Sequence, residues 1–138
     1  MKWMILPLRR YADFKGRSGR REFWFFQLFI VVVLLAAQVA MFTNDPGMSR
    51  SEASERFPVW AGYGLLPFLV PLFAVTVRRL HDLGWSGWWL IPLILAGAIP
   101  AIDTIAGLAW LIIMALPGSR RDNRFGESLR TPVQGTPA

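Results

Sequence analysis

The sequence predicts an all-α, polytopic membrane helical bundle. Two full spans are followed by a short C-terminal helical hairpin, three to four transmembrane segments in all. Three observations carry this. Residues 23–43 run without a charged residue. At 1.5 Å per residue that stretch makes about 31 Å of helix, the thickness of a bilayer's hydrocarbon core. The chain is 54% hydrophobic and only 17% charged, with ten Phe and seven Trp, too many to hide in a soluble fold of 138 residues. Its charges sit at the ends and in short gaps between the apolar runs.

The elements follow in order. Residues 1–22 are a basic juxtamembrane segment. Pro7 reads as a first-turn residue, with Leu8, Tyr11 and Ala12 behind it at helical spacing, which predicts a short helix lying on the membrane surface. Gly16 and Gly19 break it. Ser18 is the expected N-cap of the first span, with Glu22 favourable in its first turn. Arg20 and Arg21 have the wrong sign for that helix end, so they are expected to answer to lipid phosphates or an acidic partner group. The second apolar stretch, 57–77, contains Gly62, Gly64, Pro67 and Pro71 and predicts a kinked span. Membrane helices tolerate proline where neighbours satisfy the freed carbonyls.

The third apolar region, 88–116, is broken at Gly97, Pro100 and Asp103. Two arguments favour a hairpin, roughly 86–99 and 103–116, over one tilted span. Lys and Arg number seven in 1–22, two in 44–56, two in 78–87 and four in 117–138. Placing both basic termini on the cytoplasmic side requires an even number of passes. A single straight span would also hold Asp103 near the bilayer centre at a cost of about 2.5–3.5 kcal/mol, whereas a hairpin turning there moves the carboxylate toward the far interface. The transmembrane domain thus covers 23–116. A polar cytoplasmic tail, 117–138, is expected to be ordered only near the membrane.

Composition closes several function classes. There is no Cys and one His, so no thiolate or histidine-rich metal site can form. The net charge of +6 flanks apolar spans, which favours orientation and anionic lipid over nucleic acid. No signal peptide is expected at the start. Gly16–Gly19 is too short for a phosphate-cradling loop, and no Ser/His/acid triad can be assembled. No cofactor is expected.

Three segments are distinctive: FKGRSGRREFW (14–24), RRLHDLGWSGWW (78–89), and LPG with NRFG (116–118 and 123–126). In this order and spacing the chain resembles a bacterial inner-membrane family of unknown function, DUF805, the YhaH-like proteins. The resemblance implies a small multi-pass inner-membrane protein and no reaction. Ser119–Arg120–Arg121 and Glu127–Ser128 depart from the family's usual tail.

Candidate lipid- or partner-binding residues are Arg17, Arg20, Arg21, Arg78, Arg79, His81 and Asp82. A carboxylate beside His81 would raise its pKa and suit a proton relay or headgroup pocket. The blander reading is that Arg78 and Arg79 snorkel at the end of the second helix while Asp82 neutralises one of them. That anchoring reading is preferred, with binding second and catalysis third. Arg17, Arg20 and Arg21 are candidates to pair with Asp82 or with headgroups. Trp24, Trp85, Trp88 and Trp89 read as an interfacial belt. Asp103 reads as a cap of the last helix before it reads as an ion or proton carrier. The leading expectation is a non-enzymatic scaffold or module meeting anionic phospholipid, a membrane-protein partner or a second copy. The alternative is a transporter or channel component using Asp103.

Overall fold

The computed structural model describes residues 2–129. It contains five α-helices, α1 (Lys2–Arg9), α2 (Arg20–Asn44), α3 (Arg50–Asp82), α4 (Leu90–Gly97) and α5 (Asp103–Ala115), with a 3-10 turn at Gly87–Trp89 leading into α4. No strand occurs among the described residues; one isolated bridge joins Asn123 and Gly126.

α2 and α3 are both long and apolar enough to cross a membrane. They pack against each other, α1 lies across both, and α4 and α5 pack as a hairpin. The expected break of 88–116 is therefore present. The hairpin's two feet stand at the C-terminal end of α3. Gly87 lies so close to Val77 that a Cβ there would come within 2.7 Å of its side chain. Arg79 donates to the carbonyls of Met114 and Leu116.

The bundle is turned inside out relative to a soluble protein. Leu28, Val31, Val32, Leu35 and Val39 lie along α2 exposed, while Arg17, Arg78 and Arg79 are buried. Apolar side chains cost nothing in hydrocarbon, whereas an unpaired guanidinium there is expensive. The small apolar core, Phe23, Phe26, Ile30, Val75, Leu80, Leu90 and Met114, gathers α2, α3, α4 and α5 beside those arginines.

Three local expectations shift. Pro7 sits inside α1 near its end, fully buried, and Tyr11 and Ala12 follow the helix rather than forming its face. The N-cap of α2 is Gly19, without a side-chain cap. Ser18 is fully buried and its amide donates to the Arg78 carbonyl, so it ties two segments together instead of starting a helix. Asp103 is the first residue of α5, after the cap position Ile102; its Oδ1 accepts from the Thr104 amide.

The proline-rich α3 remains continuous. Pro71 has no amide hydrogen, which frees the carbonyl four residues earlier, at Pro67. The Tyr11 hydroxyl donates to that carbonyl at 2.6 Å. A neighbouring segment thus supplies the missing donor, as a helix in lipid requires.

Candidate functional site

The site is built where α3 ends. Asp82, on the last turn of α3, receives the Arg17 guanidinium through Nε and Nη2 at 3.0 and 2.8 Å, and Arg79 closes on its other oxygen. Arg78, on the same turn, pairs with Glu22 of α2 at 2.9 Å. All five side chains are at most 6% exposed. Three cations meet two carboxylates, and backbone carbonyls accept several of the other guanidinium hydrogens, while Arg78 Nε is buried without a partner. Arg17 donates to Ser119 at 2.7 Å and Arg121 at 3.1 Å, and Arg78 donates to Asp13. These arginines are therefore tied into helix ends and loops, the arrangement that lets a buried charge persist.

The segment after α5 is part of the same knot. Asn123 donates through Nδ2 to the His81 carbonyl at 2.9 Å, and its Oδ1 accepts from the Phe125 amide, closing a turn. Gly126, at φ +138, completes that turn in a conformation side chains rarely adopt. The Phe125 ring stacks on His81 with centroids 3.8 Å apart. Gly118 lies against Asp82 so closely that a Cβ would run into the carboxylate, which two arginines hold in place.

All three distinctive sequence segments thus converge on one end of the bundle. The model of the family described as a protein of unknown function, DUF805, matches residues 11–127. The chain belongs to the DUF805 family. Its relatives include the inner membrane protein YhaH of Escherichia coli K12, 33% identical over 91% of this chain and 94% of the relative. The inner membrane protein YhaI is 28% identical over 91% of this chain and 93% of its own length. The uncharacterized protein YiiR matches at 37% over 61% of this chain and 51% of the relative. No solved structure matches.

Against this DUF805 geometry the candidate residues separate into two groups. Arg17, Arg78, Arg79 and Asp82 are buried in mutual pairing and do not present free charge to a headgroup. Arg20 and Arg21 are exposed, and neither has a carboxylate partner among the described residues; Arg20 reaches the Ala115 carbonyl at 3.4 Å. His81 does not act with Asp82. Its Nδ1 lies 3.2 Å from the Gly16 carbonyl, and the neighbouring carboxylate is occupied by Arg17 and Arg79. The carboxylate–histidine pair, the less favoured reading of this cluster, is therefore not formed.

The four tryptophans lie near the knot and are all exposed, from 37% at Trp24 to 77% at Trp88. Further exposed cations, Arg9, Lys15, Arg120, Arg121 and Arg124, stand on segments that join the knot. Burial pushes the Asp13 carboxyl up, but the Lys15 amide and the Arg10 guanidinium outweigh it and hold its pKa below the usual carboxylate value. No group of three or more metal-ligating side chains occurs among the described residues.

Sequence reasoning assigned Glu22 only to the helix dipole and missed Gly118, Asn123 and Phe125 as parts of the knot. The signal was present for the last three, since they fall within LPG and NRFG. Glu22 too falls within FKGRSGRREFW, but nothing along the chain names its partner, which lies 56 positions away.

Proposed function

We propose that the protein is a non-enzymatic scaffold or partner-binding module of the bacterial inner membrane, whose cationic end meets anionic phospholipid headgroups. Both termini then lie on the cytoplasmic side. Location is supported by the names of the relatives YhaH and YhaI, both inner membrane proteins, and by the distribution of Lys and Arg. The observation that carries the lipid reading is the state of Arg20 and Arg21. They are exposed cations in the first turn of a 25-residue helix whose dipole they oppose, and the one acid in that turn, Glu22, is already paired with Arg78. A nearby phosphate would offset both cations and the helix end. The two residues line a cleft of about 550 Å³ with Arg10 and with the paired Arg17, Glu22 and Asp82 of the knot at its wall.

The test is lipid retention. Wild-type protein purified in mild detergent is expected to keep anionic phospholipid in preference to zwitterionic lipid. The double variant Arg20→Gln, Arg21→Gln is expected to lose that preference while still folding, because neither side chain belongs to the buried knot. Equal retention of both lipid classes by wild type would remove the lipid reading, as would an unchanged preference in the variant.

A further inference from the structure

Beyond its foot the hairpin packs only loosely on α2 and α3. The gap between them is an open groove of about 300 Å³. Its walls come from α2, α3, α4 and α5 and are apolar over most of their length. Two neutral polar side chains break that pattern, Gln27 from α2 and Thr76 from α3. Gln27 lies seven residues after Arg20 opens α2, and Thr76 lies six before Asp82 closes α3. At 1.5 Å per residue each stands about 10 Å from the arginine knot, so the two share one level of the bundle.

Neither side chain has a hydrogen-bond partner among the described residues. Thr76 is only 3% exposed. A helical threonine can satisfy its hydroxyl on a carbonyl of the preceding turn, as Thr43 does with Ala40. Thr76 does not. Gln27 lies inside the charge-free run that marks α2 as a span. Hydrocarbon offers no partner for an amide or a hydroxyl, and each left unpaired there is costly. The rest of the groove defines what could pair with them. Among the described residues Asp103, at the hairpin turn, is the one charged side chain on the wall, and no cation is present to receive a phosphate. Phe73 and Trp110 add aromatic surface. Gly97 and Gly107 leave open space where a Cβ would stand. A mostly apolar concavity with a few convergent polar groups is the usual form of a small-molecule site.

We propose that this groove binds an uncharged lipid through a carbonyl oxygen, with the Gln27 amide and the Thr76 hydroxyl as donors. An isoprenoid quinone and a diacylglycerol both carry that chemistry. The site is separate from the cationic cleft and does not rest on the lipid reading made there.

Native mass spectrometry tests it. Full-length protein in mild detergent would be titrated with decylubiquinone and, separately, with dioctanoylglycerol. The expected result is saturable one-to-one binding of at least one of them, and which one binds separates the two sources. Phosphatidylglycerol, a ligand for the cationic cleft, should not displace it. Gln27→Leu combined with Thr76→Val removes both donors at similar shape and should weaken binding at least about tenfold. Because neither group is bonded within the protein, the same pair should leave the melting temperature of the lipid-free protein unchanged. Gly107→Leu puts a side chain into the groove, in a helix that tolerates the loss of glycine, and should abolish binding. Absence of saturable binding of both uncharged lipids overturns the proposal. Displacement by phosphatidylglycerol, or undiminished affinity in the double variant, overturns it too. So does a lower melting temperature of the lipid-free double variant, which would show the two groups already paired inside the protein. The wild-type titration and competition decide the matter even if a variant fails to fold.

Discussion

The two ends of the α2–α3 pair are held together by different means. At the end where α3 finishes, contacts join residues far apart in sequence: Arg17 with Asp82, Glu22 with Arg78, Arg17 with Ser119. At the opposite end the loop between α2 and α3 is stabilised locally. Ser49 and Glu52 form a reciprocal capping box at the start of α3. The one ion pair there, Arg56 with Asp45, is long at 3.8 Å and more than half exposed on both sides. One end therefore fixes how five segments sit together, while the other only turns the chain around. The family motifs lie at the first end and none lies at the second, so the structure explains where the distinctive residues concentrate.

The sharpest way to break this contrast is at Asp82. Two buried guanidiniums share its carboxylate, one on each oxygen. Asp82→Asn keeps the shape and removes the charge, leaving three buried cations against Glu22 alone. Removing one partner of a buried pair costs about 3–5 kcal/mol, because the remaining charge stays desolvated. We expect Asp82→Asn to show that loss in unfolding titrations in mixed micelles, with poor membrane yield. A change below about 1 kcal/mol, the range typical of exposed ion pairs, would mean that the knot is no more cohesive than the distal loop.

The contrast also shows what the sequence could convey. The apolar runs revealed α2, α3 and the hairpin, because lipid imposes length and composition on each segment separately. The hairpin emerged from the basic tail and the position of Asp103, both readable along the chain. The buried arginines resembled any snorkelling cluster. Pairing of Arg17 with Asp82 was among the sequence-based expectations, whereas Glu22 with Arg78 was not, because periodicity says nothing about which of several acids an arginine meets. The tail, 117–138, was expected to be ordered only near the membrane; within it the Ser119 and Arg121 carbonyls accept from Arg17 and Asn123 donates to the His81 carbonyl, so polarity here serves a buried network. The last nine residues of that tail lie outside the described residues.

A smaller effect is expected at the middle of α3. If Tyr11 replaces the donor that Pro71 lacks, Tyr11→Phe should cost about 1 kcal/mol, the net value of one hydrogen bond. The decisive measurement is a double-mutant cycle. Pro71→Ala returns an amide hydrogen that can bond the Pro67 carbonyl within the helix. In that background Tyr11→Phe should cost little, giving a coupling comparable to the single-variant loss. Equal costs in both backgrounds would show that the hydroxyl stabilises through some other contact. The cycle also subtracts whatever packing Pro71→Ala loses on its own.

The weakest expected effects lie at the distal loop, and there the contrast is sharpened by locality. Ser49→Ala removes the acceptor for the Glu52 amide and should cost about 1 kcal/mol. Arg56→Gln breaks only the long, exposed pair with Asp45 and should cost a few tenths of a kcal/mol at most, screened further by salt. Hydrogen exchange measured residue by residue separates the two ends. Ser49→Ala should speed exchange at the Glu52 and Ala53 amides, which bond to Ser49. The Ser18 and Ser119 amides, which bond across the knot to Arg78 and Asp82, should keep their protection. Either distal substitution loosening Ser18 or Ser119 would show that the two ends fold and open as one unit. The division between an end that positions segments and an end that merely connects them would then have to be abandoned.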